Sequence, residues 1–284
     1  MTTQYHGWPR DVCIGERVAG LATQRVYTRT TRGIERVKIF KFKTLAIAGA
    51  LLCAQGAQAG TWSLGASALL TPDPYKGNNT RLYPVPVINY DSEDFYFHTL
   101  TAGYYLWNDE VNKLSVMAYY SPLHFKPGDS DDDSMKRLDK RRGTLMAGMA
   151  YSHNAEWGTL RVAFSGDTLD NSNGLVGDLA YLYKFQLGDW SLAPGVGVTW
   201  SSKNQNKYYY GVSDNESRRS GLNSYKPSDS WAPYLELTAN YQINKSWNAF
   251  FMGRYVRLSD EVKDSPMVDS SYDGMLWSGV TYTF

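Results

Sequence analysis

The chain has 284 residues, with 29 Lys+Arg against 28 Asp+Glu and two cysteines. So even a charge balance leaves no basic footprint for nucleic acid, and two cysteines cannot build a disulfide framework or a zinc-thiolate cluster. Nothing after residue 59 is long and apolar enough for a membrane-spanning helix, and no Gly-rich phosphate loop marks a nucleotide cofactor.

In chain order, residues 1–36 carry six arginines and no apolar period. They read as translated upstream sequence from a start site placed too early, with Val37 as the alternative start. Residues 37–59 read as a signal peptide: a basic run from Lys38 to Lys43, an apolar run from Leu45 to Ala54, then Ala57-Gln58-Ala59 as a small-residue cleavage site. Cleavage after Ala59 makes Gly60 the mature N-terminus. The remaining chain, 60–284, has 20 basic and 25 acidic residues, a net −5, and no cysteine.

That remainder is a series of strands with two unlike faces. Leu160, Val162 and Phe164 alternate with Arg161, Ala163 and Ser165. Val196, Val198 and Trp200 alternate with Gly195, Gly197 and Thr199. Leu235 and Leu237 alternate with Glu236 and Thr238. Period-two alternation is a strand signal, and one wholly apolar face with aromatics near its ends is what a lipid-facing barrel wall needs. The terminal run puts Val280, Tyr282 and Phe284 on one face with no further chain to cover them. A sandwich would bury such faces against each other. The signal peptide, the aromatic terminus and the long polar loops favour an all-β, antiparallel transmembrane β-barrel of a Gram-negative outer membrane, in contact with outer-membrane lipid.

Short connections alternate with long polar ones, as periplasmic turns alternate with external loops. Eleven spans emerge, at 61–71, 83–90, 95–106, 113–122, 143–152, 158–166, 175–186, 190–201, 231–243, 247–258 and 272–284. An even number is required. Pro84 and Pro86 weaken the span 83–90, so ten strands are favoured, and twelve, with one crossing missed, is the alternative.

For site residues, Tyr208, Tyr209, Tyr210, Arg218, Arg219 and Tyr225 make the loop 201–230 the richest set for partner contact, because Tyr and Arg dominate hot spots. Packing of that loop over the barrel mouth competes with this reading. Arg161, Asp178, Lys184, Glu236 and Arg254 are expected to face the lumen, with Glu236 and Arg254 as an ion pair on adjacent strands. The acidic runs Asp129–Asp133 and Asp167–Asn173 match no complete calcium loop. His98, His124 and His153 stand in no catalytic motif, so neither a metal nor a catalytic set is assigned.

Longer strings carry a resemblance. Tyr83-Pro-Val-Pro-Val-Ile-Asn-Tyr90, Gly103-Tyr-Tyr-Leu-Trp-Asn-Asp109, Gly166-Asp-Thr-Leu-Asp-Asn-Ser-Asn-Gly174, Tyr208-Tyr-Tyr-Gly-Val-Ser213 and Arg257-Leu-Ser-Asp-Glu-Val262 resemble the MipA/OmpV family over essentially the whole span 60–284. That resemblance implies a non-enzymatic outer-membrane scaffold. It would link a membrane-bound lytic transglycosylase to a bifunctional penicillin-binding protein in peptidoglycan synthesis. It supplies no partner-binding residue and no cofactor. A small-solute permeability barrel and a surface adhesin are the alternatives. The periplasmic partners it implies lie on the opposite side of the membrane from the loop 201–230.

Overall fold

The computed structural model describes residues 60–284. The upstream segment 1–36, the signal peptide 37–59 and the cleavage residues Ala57 and Ala59 lie outside the described residues. Gly60 is the first one described.

Thirteen antiparallel strand segments form one sheet: β1 (Thr61–Thr71), β2 (Arg81–Asp91), β3 (Phe95–His98), β4 (Thr101–Asn108), β5 (Asn112–Ser121), β6 (Thr144–Ala155), β7 (Gly158–Asp167), β8 (Leu175–Leu182), β9 (Phe185–Leu187), β10 (Trp190–Ser201), β11 (Ser230–Gln242), β12 (Trp247–Arg257) and β13 (Tyr272–Thr283). β8 and β9 are two pieces of one crossing, both paired with β10. β13 pairs with β1 from Ser63↔Thr283 to Leu70↔Leu276, which closes the sheet. Closure joins the last strand to the first, as a sheet that spans hydrocarbon requires, and β2 keeps an unpaired stretch on its β3 side. The protein is a transmembrane barrel of twelve crossings.

The count differs from the favoured ten at two places. Residues 81–91 form a full strand, paired to β1 along its whole length. The span 95–106 is two strands: the chain reverses at Thr99, whose φ is +53°. No Gly, Pro, Asn or Asp marks that turn. Positive φ is uncommon for a β-branched residue, so the sequence reads there as one unbroken strand.

Prolines occupy the positions in these strands that have no bonding partner. Pro84 and Pro86 lie opposite Ala68 and Ala66 of β1. The Val85 carbonyl points to β1 and accepts from Ser67 Oγ at 2.7 Å. The Ile88 carbonyl points the other way and accepts from Thr99 N at 2.8 Å. Alternation therefore turns the nitrogens of residues 84 and 86 toward β3, which pairs only with Asn89–Asp91. Pro233 likewise lies just before the β11–β12 ladder begins at Tyr234↔Val256. Pro194 faces the break between β8 and β9, its carbonyl accepting from Tyr183 N at 3.0 Å. At an unpaired edge the missing N–H leaves no orphan donor in lipid. Pro84→Ala, which restores an unpaired donor at this edge, is therefore expected to lower unfolding free energy by about 1–3 kcal/mol, and Val85→Pro, which removes a donor to β1, to cost about 3 kcal/mol or more. Urea titration of the vesicle-inserted protein measures both.

Two aromatic belts mark the interfaces. At the short-turn end Trp62 meets Tyr90 at 4.8 Å, Trp190 meets Tyr241 at 4.8 Å, and Trp247 meets Tyr282 at 5.2 Å. At the long-loop end Tyr255 stacks on Tyr272 at 5.6 Å and Trp200 lies 6.4 Å from Trp231. Amphipathic rings favour the headgroup level. Val280 and Phe284 are exposed on the outward face of the last strand, with Tyr282 between them. By the usual orientation of such barrels the short turns lie in the periplasm and the long loops outside.

Candidate functional site

Two polar assemblies sit above and within the wall. The first crosses the lumen. Register places Glu236 of β11 opposite Arg254 of β12, and Arg254 Nη2 donates to Glu236 Oε2 at 2.7 Å. Arg161 Nη2, from β7, reaches Glu236 Oε1 at 3.0 Å and lies 3.8 Å from Asp178 Oδ1. Tyr234 Oη donates to Asp178 Oδ1 at 2.9 Å, and Thr199 Oγ1 donates to Asp178 Oδ2 at 3.1 Å. The Arg254 guanidinium lies 4.0 Å over the Tyr234 ring. Two cations and two anions thus neutralise each other and tie β7, β8, β10, β11 and β12 together. Lys184, at the short-turn end, is exposed and takes no part. In a medium of low dielectric such a set is held only if its members pair.

The second assembly is a cap built by the long loops. Its buried core is Tyr75 from the β1–β2 loop, Phe125, Met135 and Leu138 from the β5–β6 loop, Tyr209, Tyr210 and Val212 from the β10–β11 loop, and Leu258, Val262, Met267 and Val268 from the β12–β13 loop. Four loops that are polar by composition thereby share one apolar centre. The single-residue bridge Tyr75↔Val268 joins two of these loops, while Phe125↔Arg141 and Val212↔Tyr225 each close one loop on itself. Tyr75 Oη donates to the Tyr209 carbonyl at 3.1 Å, and Ser265 Oγ donates to the Tyr210 carbonyl at 2.6 Å. Burial, helped by Tyr208 beside Tyr209 and by the Asp273 and Asp73 carboxylates near Tyr210, pushes both hydroxyls far above their ordinary pKa, so both stay protonated.

A buried ion pair anchors the cap's polar side. Arg141 Nη2 donates to Glu216 Oε1 at 2.7 Å. Glu216 also closes a capping box with Ser213, at the start of the helix Asp214–Ser220. Burial alone would raise its carboxyl pKa. Hydrogen bonds from the Ser213 and Asp139 N–H groups and the Arg141 charge outweigh that and hold it at about 2. A depressed carboxylate stabilises the fold above its unfolded pKa, and that contribution fades as pH falls through the folded value. Cap protection against protease is therefore expected to weaken between roughly pH 4.5 and pH 2, and Glu216→Gln to abolish that pH step. Limited proteolysis across this range measures it.

Of the loop residues singled out in the sequence, Tyr209 and Tyr210 are buried in the cap core, while Tyr208 and Tyr225 line a pocket beside it. Arg219 pairs with Asp139, and Arg218 donates to the Asn215 side chain. The acidic loop residues organise backbone: Asp132 Oδ1 accepts from Ser134 N and Met135 N at 2.8 and 3.0 Å, and Asp129 pairs with Arg81 at 2.9 Å. Asp167 accepts from Leu169 N and Asn173 N, both at 3.0 Å. His98 lies 2.8 Å from Asp91, and His153 lies 3.0 Å from Asn112. Sequence reasoning passed over Tyr75, Phe125, Met267 and the Arg141–Glu216 pair. Apolar side chains scattered through long acidic loops were the available signal.

The family description "MltA-interacting protein MipA" matches residues 64–284, which is the barrel and its cap together. The chain belongs to the MipA family. The MltA-interacting protein of Escherichia coli K12 is 52% identical over 247 residues, covering 86% of this chain and 99% of that protein. The outer membrane protein YiaT of Escherichia coli O157:H7 is 42% identical over 228 residues, covering 80% and 93%. OmpV of Vibrio cholerae is 24% identical over 225 residues, covering 79% and 87%. These relatives are named as interacting or outer-membrane proteins, not as enzymes. Among solved structures, an outer membrane channel from Pseudomonas putida F1 aligns at a TM-score of 0.42 and 10% identity, covering 81% of this chain and 97% of that one. This MipA-family protein is an outer-membrane barrel.

Proposed function

We propose that this MipA-family barrel is a non-enzymatic anchor that holds a membrane-bound lytic transglycosylase at the outer membrane. Through it, a bifunctional penicillin-binding protein is linked to the same site of peptidoglycan synthesis. The observation that carries the first link is the 52% identity, across nearly the whole of a relative named for its interaction with MltA. The second link rests on the resemblance of the strings quoted above.

Geometry supports a docking face at the short-turn end. Murein enzymes work in the periplasm, so a partner meets the turns 92–94, 109–111, 156–157, 188–189 and 243–246, not the cap. Trp157, Leu187 and Ile243 are exposed at this end, as are the acids Asp109, Glu110 and Glu156. Exposed aromatic and apolar groups rimmed by charge suit a protein contact. A permeability role is the rival. The lumen ion network and the packed cap both oppose free passage.

Co-purification from crosslinked envelopes tests the proposal. Enrichment of a lytic transglycosylase together with a penicillin-binding protein is the expected result. Recovery of the barrel with neither enzyme enriched would count against it, and recovery of the transglycosylase alone would remove the second link.

A further inference from the structure

A pocket of about 490 Å³ opens in the cap beside the apolar core, with Val212 shared between them. Its volume lies in the range of small-ligand sites. Lys207, Tyr208, Tyr225 and Lys226 line it, together with Asn173, Asn204 and Arg141.

Three features give it a charge preference. Arg141 has a side chain only 8% exposed. Its Nη1 donates to the Asp139 carbonyl, and its Nη2 donates to the Gly211 carbonyl and to Glu216. Its Nε is buried as well, so the guanidinium gives the pocket wall charge and no free donor. Lys207 and Lys226 are exposed, and among the described residues neither has an ion-pair partner. Asp214 is the one opposing charge left in the lining, since Glu216 is taken by Arg141. The pocket therefore carries a net positive charge.

The rest of the lining is suited to hydroxyl groups. The Tyr208 hydroxyl accepts from Arg142 N at 2.9 Å and keeps its own hydrogen to donate. Asn204 Nδ2 donates to the Asn173 carbonyl at 3.1 Å, which leaves its amide oxygen to accept. The two tyrosine rings offer flat apolar walls.

From this we infer that the cap pocket binds an acidic sugar unit, with a carboxylate or phosphate held between Lys207 and Lys226 and the ring hydroxyls set against the asparagines and tyrosines. The site faces the exterior and is independent of the periplasmic anchoring role.

Calorimetry and saturation-transfer NMR on the full chain in detergent micelles test this, with glucuronate, glucose 6-phosphate and glucose as probes. Either acidic sugar should bind at least about tenfold more tightly than glucose, and added salt should weaken it. The double variant Lys207→Gln/Lys226→Gln should lose about tenfold in affinity, while Lys207→Arg/Lys226→Arg retains binding. Unchanged heat-modifiable gel mobility verifies that each variant is folded. Equal binding of glucose, no saturation by either acid, or full affinity in the Gln variant would overturn the inference.

Discussion

Tyr209→Ala will open the cap while the barrel stays closed. Tyr209 has no exposed surface and sits where loops from four hairpins converge. Its hydroxyl donates to the Arg142 carbonyl at 3.0 Å, its carbonyl accepts from Tyr75, and its ring meets Tyr208 edge-on at 4.8 Å. Truncating a buried aromatic leaves a cavity and costs about 3–5 kcal/mol. The cap is a small core carried on loops, so this loss falls on it and not on the strand ladders beneath. Amide exchange through residues 202–229 and 258–271 should rise steeply, and the long loops should become cleavable by external protease. Unchanged gel mobility would report an intact barrel. Tyr209→Phe, which keeps the ring and loses one hydrogen bond, should cost only about 1 kcal/mol.

Glu236→Ala has the second largest expected effect, and it acts inside the lumen. Glu236 is bonded by two arginines, Arg161 and Arg254, from opposite sides. Removing it leaves two neighbouring cations with Asp178 as the one remaining anion of the set, 3.8 Å from Arg161. Breaking a buried pair costs about 3–5 kcal/mol, and partial solvation of both guanidinium groups reduces this to about 2 kcal/mol. Adding Arg254→Ala should recover part of the loss, because the two sites share one interaction. Planar-bilayer recordings give a second reading. The wild type should show no stable large channel, and Glu236→Ala should show added, anion-preferring openings.

The lipid-facing half of this barrel was legible because its chemistry is simple. Each strand needs an apolar side chain every second residue, and the runs at Leu160–Phe164 and Leu235–Leu237 show it directly. Adjacent-strand register also follows from alternation and turn length, and it places Glu236 beside Arg254. Two things were hidden. The reversal at Thr99–Leu100 is made by residues that ordinarily extend a strand, so the short hairpin β3–β4 left no mark. Pro84 and Pro86 count against the span 83–90, yet in the structure they mark the unpaired edge of the strand 81–91. The cap was obscured for a different reason. Tyr75, Phe125, Met135 and Val268 come from four separate segments of three loops with no shared period, and only their meeting in space makes a core.

The anchoring role and the cap make opposite demands on the two ends of the molecule, so the central claim can be tested by position. A photocrosslinking residue at Trp157, in the β6–β7 turn, probes the short-turn face, and one at Arg218, in the β10–β11 loop, probes the cap. In living cells the first should capture a lytic transglycosylase and the second should not. Capture from Arg218 with none from Trp157, or capture from neither position, would contradict a periplasmic anchor.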